Sequence, residues 1–191
     1  MKTITTNLTT EAFFSDDETQ RYLLKKTWDK EKPSLAIIML APSEASGIIL
    51  DSTTLLVLNN ACRLGYGSVS ILNLFSTLND HSLKSADDID PENANIIVAS
   101  AKKADTIVYA PGVGKASNKS FIARQEYILK ALITMEDKLH CICNSSGNAR
   151  LQHPLSPAVR TWHLSPLKIS ELVDIKTTSS SQEKKDKGKH Q

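Results

Sequence analysis

The strongest constraint in this chain is a six-residue apolar run, Leu35-Ala36-Ile37-Ile38-Met39-Leu40, closed by Ala41-Pro42-Ser43. A strand with one wet face alternates polar and apolar residues. This run has no polar position, so both of its faces must be covered, as in the middle of a parallel sheet. Glu31-Lys32-Pro33-Ser34 breaks the chain before it, and Pro42 ends it. Open α/β sheets take their ligands at the carboxyl ends of such strands. Residues 41–43 stand at one.

The rest of the chain switches between two periods. Residues 51–65 start with Asp51, carry Leu55, Leu56, Leu58, Cys62 and Leu64, and stop at Gly65. An acidic cap and a terminal glycine predict a helix there. Residues 68–74 predict a second strand and residues 76–91, polar and Asp-rich, a long loop. Helical spacing returns over residues 92–103. Thr106-Ile107-Val108-Tyr109 predicts a third strand, stopped by Ala110-Pro111-Gly112. Residues 115–135 contain another helix, with Phe121, Ile122, Tyr127, Ile128, Leu129, Leu132 and Ile133 as its buried face. Residues 139–143 form a fourth strand.

Outside this frame, residues 1–10 read as loosely held and residues 21–27 as an added strand or turn at the sheet edge. Residues 158–164 are a short segment and residues 169–175 a last helical turn or two. Residues 177–191 have no apolar side chain and read as a disordered tail. Strand–helix alternation predicts an α/β fold: one domain over residues 1–176, a three-layer sandwich around a central four-stranded parallel sheet.

Charge and cysteine content narrow the function. The formal net charge is +2, and the segment from Thr177 onward holds four lysines and two acids. The body is therefore near neutral and offers no broad basic footprint for nucleic acid. Cys62, Cys141 and Cys143 make an odd count, and no apolar leader follows Lys2, which points to reduced thiols in a cytoplasm. No run approaches the length of a membrane span.

Four polar or rigid features fall at strand ends and would share one rim. They are Ala41-Pro42-Ser43, Asn73 inside Ile71-Leu72-Asn73-Leu74-Phe75, Pro111-Gly112-Val113-Gly114-Lys115, and the loop His153-Pro154-Leu155-Ser156-Pro157. Asn73 either ties down a loop or reads the edge of a planar ligand. Its amide must find partners, since burying one without them costs about 2–7 kcal/mol. His153 is either an exposed turn residue or an imidazole held by two nearby prolines. The glycine-rich stretch fails the Walker spacing, because Tyr109 and Ala116 occupy its first Gly and its Ser/Thr positions. It is a turn into a helix or a phosphate-accepting helix start, which leaves a small nucleotide- or phosphate-binding protein as one reading. Asp51 is the helix cap or, alternatively, a carboxylate facing the rim. Cys141 and Cys143, with His140 and His153, allow a metal site to be drawn, but buried thiols are favoured and no metal or cofactor is expected.

Together, in this order, the four rim motifs resemble the uracil-DNA glycosylase superfamily. Met39-Leu40-Ala41-Pro42-Ser43 is similar to its Gly-x-Asn-Pro-Gly motif, Ile71-Leu72-Asn73 to Leu-Leu-Asn, and His153-Pro154-Leu155-Ser156-Pro157 to His-Pro-Ser-Pro-Leu-Ser. Where that superfamily has a Trp-Gly pair after its third strand, this chain has Ala110-Pro111-Gly112. More narrowly, residues 21–157 resemble an uncharacterised bacterial family often carried on mobile elements. Its pattern is Met-Leu-Asn-Pro-Ser, Asp-Asp-Pro-Thr, Asn-Leu-Phe and His-Pro-Leu, with Leu50-Asp51-Ser52-Thr53 and Asn73-Leu74-Phe75 as the middle items here.

The resemblance implies a pocket for a flipped-out base in DNA. His153 would stabilise the developing oxyanion. Asn73 would read the base, and Ala41, Pro42, Ser43 and Phe75 would line the pocket. Lys115, Leu155, Ser156, Pro157 and Arg160 would meet the DNA. Ala41 replaces the Asn or Asp that positions water, and a methyl group cannot do so. The expectation is a glycosylase-like protein with weak or lost base excision. It would bind single- or double-stranded DNA, possibly uracil-containing, or a glycosylase inhibitor protein; an active glycosylase for uracil or an atypical base is the alternative.

Overall fold

A computed structural model describes residues 1–43, 47–78, 90–113 and 118–173. Lys115 and the 177–191 tail of the sequence reading lie outside the described residues. Among these residues seven strands form one mixed sheet: β1 (Thr9–Phe14), β2 (Arg21–Thr27), β3 (Ser34–Met39), β4 (Ser68–Asn73), β5 (Thr106–Tyr109), β6 (Leu139–Cys143) and β7 (His163–Pro166), in the order β1-β2-β4-β3-β5-β6-β7. Among the described residues three α-helices accompany them: α1 (Ser52–Arg63), α2 (Pro91–Lys103) and α3 (Lys119–Ala131).

The α/β class and the four strands read from the apolar runs are present, and β4, β3, β5 and β6 pair in parallel. The four-stranded parallel sheet is nevertheless a correction, because the sheet has seven strands and is mixed. β2 joins β4 antiparallel, β1 joins β2 antiparallel across residues 15–20, and β7 joins β6 antiparallel. β1 and β7 are the edge strands, and residues 21–27, expected at the sheet edge, form a strand held between β1 and β4. β1 is largely exposed and registers Glu11 against Lys25, whose ion pair spans 3.3 Å. An edge strand needs no continuous apolar run, so its signal in the sequence is faint. Thr9 and Thr10, expected to be loose, belong to β1, and the last two residues of the short segment 158–164 open β7, which runs on to Pro166.

β3 alternates its side chains between two cores. Leu35, Ile37 and Met39 join Val69, Ile71, Val108 and Ile142 under α1 residues Val57 and Ala61, with Trp162. Ala36 and Ile38 join Leu72, Ile107, Tyr109 and Cys141 under α2 and α3. Every residue from Leu35 to Met39 is at most 4 % exposed, which explains the unbroken apolar run.

α1 is capped as expected, Asp51 accepting from the Thr54 amide at 2.7 Å, and Gly65 follows it with φ of +90°. α3 differs from its expected face. Ile122, Tyr127 and Ile133 are exposed, whereas Arg124 is buried with Phe121, Ile128 and Leu129. A polar residue in the buried stripe is invisible to apolar periodicity.

Asn60 ties α1 to the final segment. Its Nδ2 donates to Leu56 O at 3.0 Å and to Arg160 O at 3.2 Å, and its Oδ1 accepts from the buried Trp162 amide at 2.9 Å. Asn60→Ala strands that amide, which costs about 1–3 kcal/mol. Chemical denaturation should show a loss of that size with an unchanged m-value.

Candidate functional site

The chain leaves β3 towards α1 on one face of the sheet and leaves β5 towards α3 on the other. β3 and β5 are neighbours, so the space between their carboxyl ends is the topological switch point, where such sheets hold ligands. The strand ends lie level. The Ala110 amide bonds Ile38 O at 2.8 Å, the Leu74 amide bonds Met39 O at 2.8 Å, and the Phe75 amide bonds Leu40 O at 3.0 Å. Ala41-Pro42-Ser43 and Ala110-Pro111-Gly112 therefore leave the sheet side by side.

His153 arrives at this edge from the far end of the chain. The Gln152 amide reaches Ile142 O at 3.4 Å, at the end of β6. Gly112 has φ of +86°, and a Cβ built on it would lie 3.2 Å from His153 Cβ. The glycine serves two needs at once, a left-handed backbone and a close approach. Inside the His153 loop, the Leu155 amide donates to His153 Nδ1 at 3.2 Å. Nδ1 is thus the acceptor, and in the neutral ring Nε2 carries the proton. Burial pushes the imidazole below its ordinary value of 6.5, with Asp51 opposing part of that shift. The ring is neutral at pH 7 and presents an Nε2–H donor.

Asn73 closes β4 opposite Met39 and is 1 % exposed. Strand alternation puts its side chain on the α1 face, with Val69 and Ile71. Its Nδ2 is buried with no partner. Asn73 and His153, 80 positions apart in sequence, thus stand at the same edge of the sheet.

The sequence reading did not include Arg21 and Asp51 among its site residues. Arg21 is 2 % exposed and its Nη1 donates to Ser43 O at 3.1 Å. Burial works against the Asp51 carboxylate. Hydrogen bonds from Ser43 and Thr54, with the charge of Arg21, outweigh it and hold Asp51 below the ordinary carboxylate value. Asp51 is thus both of the things its sequence allowed, the cap of α1 and an ionised carboxylate at the rim. Nothing in the spacing marked Arg21.

The remaining residues divide. Pro42 is buried and Ala41 partly exposed at the end of β3. Phe75 packs against the core under α2 and α3. Leu155 is 40 % exposed and Pro157 is exposed at the start of a 3-10 turn. The Ser156 hydroxyl is engaged inside its own loop, donating to Gln152 Oε1 at 2.7 Å. Arg160 is exposed, but its carbonyl rests on Asn60, about 12 Å along α1 from the rim end of that helix. It flanks the site and does not line it. Cys141 and Cys143 are buried free thiols. Among the described residues no cluster of His, Cys, Asp and Glu is arranged to hold a metal ion, and no helix is long and apolar enough to cross a membrane.

Residues 21–155 match the model of a family described as a protein of unknown function (DUF1643), which is more than half of the 191-residue chain. No curated protein and no solved structure matches it.

Two outcomes follow from this geometry. Gly112→Ala forces an L side chain into a left-handed backbone against His153, at a cost of about 1–2 kcal/mol, and should shift the His153 ring resonances in an NMR spectrum. The depressed imidazole gives a pH signature as well. The unfolded chain binds a proton near pH 6.5 that the folded chain resists, so stability falls as pH drops below that value. His153→Gln should flatten the fall in melting temperature between pH 7 and the folded-state pKa.

Proposed function

We propose that this chain, which belongs to the DUF1643 family, is a uracil-DNA glycosylase-like protein with weak or lost base excision, whose rim slot holds a flipped-out base. The observation that carries the reading is a pair of donors at this edge of the sheet, the neutral, half-buried His153 with its Nε2–H and the buried, unpartnered Asn73 Nδ2. The four parallel strands between two helical layers support the same comparison.

Breaking an N-glycosidic bond leaves negative charge on the departing base. A fixed donor aimed at the carbonyl oxygen where that charge grows lowers the barrier, and a neutral imidazole serves without needing to give up its proton fully. Asn73 supplies an amide able to match the donor–acceptor edge of a planar base. Pro42 and Ser43 shape the slot, and Phe75 backs it from the opposite core. Leu155, exposed on the His153 loop, suits a wedge that fills the space a flipped base leaves. Pro157 and Arg160 lie outward, where phosphates would pass, and Lys115 follows the Gly112 turn in sequence.

What such a site lacks is a group on β3 to place the attacking water. Ala41 has only a methyl there. Binding without turnover is the main reading, with DNA or a protein that normally grips glycosylases as the partner. The near-neutral body favours modest affinity for DNA. One observation favours the active alternative. Asp51 is an ionised carboxylate whose charge reaches His153, and it can orient water in place of Ala41.

The test is excision from single- and double-stranded oligonucleotides containing uracil. The main reading expects little release by the parent and a gain of about tenfold or more in Ala41→Asn. The alternative expects parent activity that falls about 100-fold in His153→Ala and comparably in Asp51→Asn. No binding of either DNA by parent or Ala41→Asn removes the DNA reading.

A further inference from the structure

A second group of buried polar atoms lies on the other face of the sheet, between α2 and α3. The Leu74 carbonyl, just past β4, accepts from Arg124 Nε at 2.8 Å and from Asn93 Nδ2 at 3.2 Å. Asn93 Nδ2 also reaches Asn73 O at 3.1 Å. These bonds fix both side chains against one carbonyl. Arg124 is 4 % exposed and Asn93 1 % exposed. The Tyr127 ring lies 5.7 Å from the guanidinium. What remains of the two side chains is Arg124 Nη1 and Nη2 and Asn93 Oδ1, all buried and all without a partner.

Asp90 is the acid whose charge acts on Arg124, but its oxygens are engaged elsewhere. Oδ1 accepts from the Glu92 and Asn93 amides at 3.0 and 3.2 Å, and Oδ2 from Ser76 Oγ at 3.0 Å. Asp90 tempers the charge of Arg124 and leaves its donor edge unmatched. A buried guanidinium edge without acceptors is costly, and arginine forks suit phosphate and carboxylate oxygens.

We propose that Arg124 and Asn93 form a phosphate-binding site on this face. Two phosphate oxygens would accept from Nη1 and Nη2, and a P–OH would donate to Asn93 Oδ1. A phosphate that keeps a proton carries both kinds of group, whereas a carboxylate has no proton to give Asn93. The carboxylate of Asp90 nearby also favours the singly charged form over the doubly charged one. The site is distinct from the glycine-rich turn at Gly112, and it uses neither His153 nor the Asn73 side-chain amide, so its failure leaves the base-pocket reading untouched.

Thermal unfolding and calorimetric titration of the full chain test it, with inorganic phosphate, a nucleoside monophosphate, and acetate at matched ionic strength. Phosphate should raise the melting temperature and acetate should not. Arg124→Met should weaken phosphate binding about tenfold or more. Asn93→Asp, which sets an internal carboxylate beside the guanidinium, should abolish the response even if Arg124→Met fails to fold. Tighter binding of the monophosphate than of phosphate marks a nucleotide ester as the ligand, and equal binding marks the free ion. No rise with phosphate, an equal rise with acetate, or an undiminished rise in Asn93→Asp overturns the site.

Discussion

The structure depends on the burial of β3 from both sides. Its side chains enter two separate cores in alternation, and both of its neighbours run parallel to it. A one-residue slip would exchange the two sets and mismatch both cores at once. The register of β3 against β4 and β5 is therefore firmly set, and with it the height at which Ala41, Leu74 and Ala110 leave the sheet. An edge defined this way can hold side chains that come from distant parts of the chain.

Around that edge the loops are stiffened locally. Gly112 lets one turn nestle against His153, and the Leu155 amide holds the imidazole from within its own loop. Arg21, from the second strand of the sheet, reaches the Ser43 carbonyl, and Ser43 in turn bonds Asp51 at the head of α1. Apolar packing fixes the strands, and a short run of polar contacts then fixes what stands on their ends. The two levels use different forces, and the second matters only because the first is rigid.

This division explains what the sequence could reveal. The central strands were legible because a strand buried on two faces admits no polar residue, and α1 because Asp51 and Gly65 bracket it. β1 and β7 were not, since a strand that is paired along one side and wet across a face carries almost no hydrophobic signature. Asn73 and His153 stood out as polar or rigid intrusions at strand ends. Arg21 and Arg124 did not, because an arginine is ordinarily a surface residue and only the folded neighbourhood shows its side chain to be enclosed. Periodicity places Tyr127 in the core of α3, and the structure puts Arg124 there instead, with Tyr127 beside it.

The contact between the Leu155 amide and the imidazole has a chemical consequence. A ring whose lone-pair nitrogen is already held by its own backbone has one nitrogen left, and that atom carries hydrogen. In its neutral form this histidine can only donate: it can lend positive character to an oxygen placed before it, but it has no free basic nitrogen with which to strip a hydrogen from anything. Any step here that needs a base must draw it from a neighbour, and the ionised group nearest to hand heads the first helix.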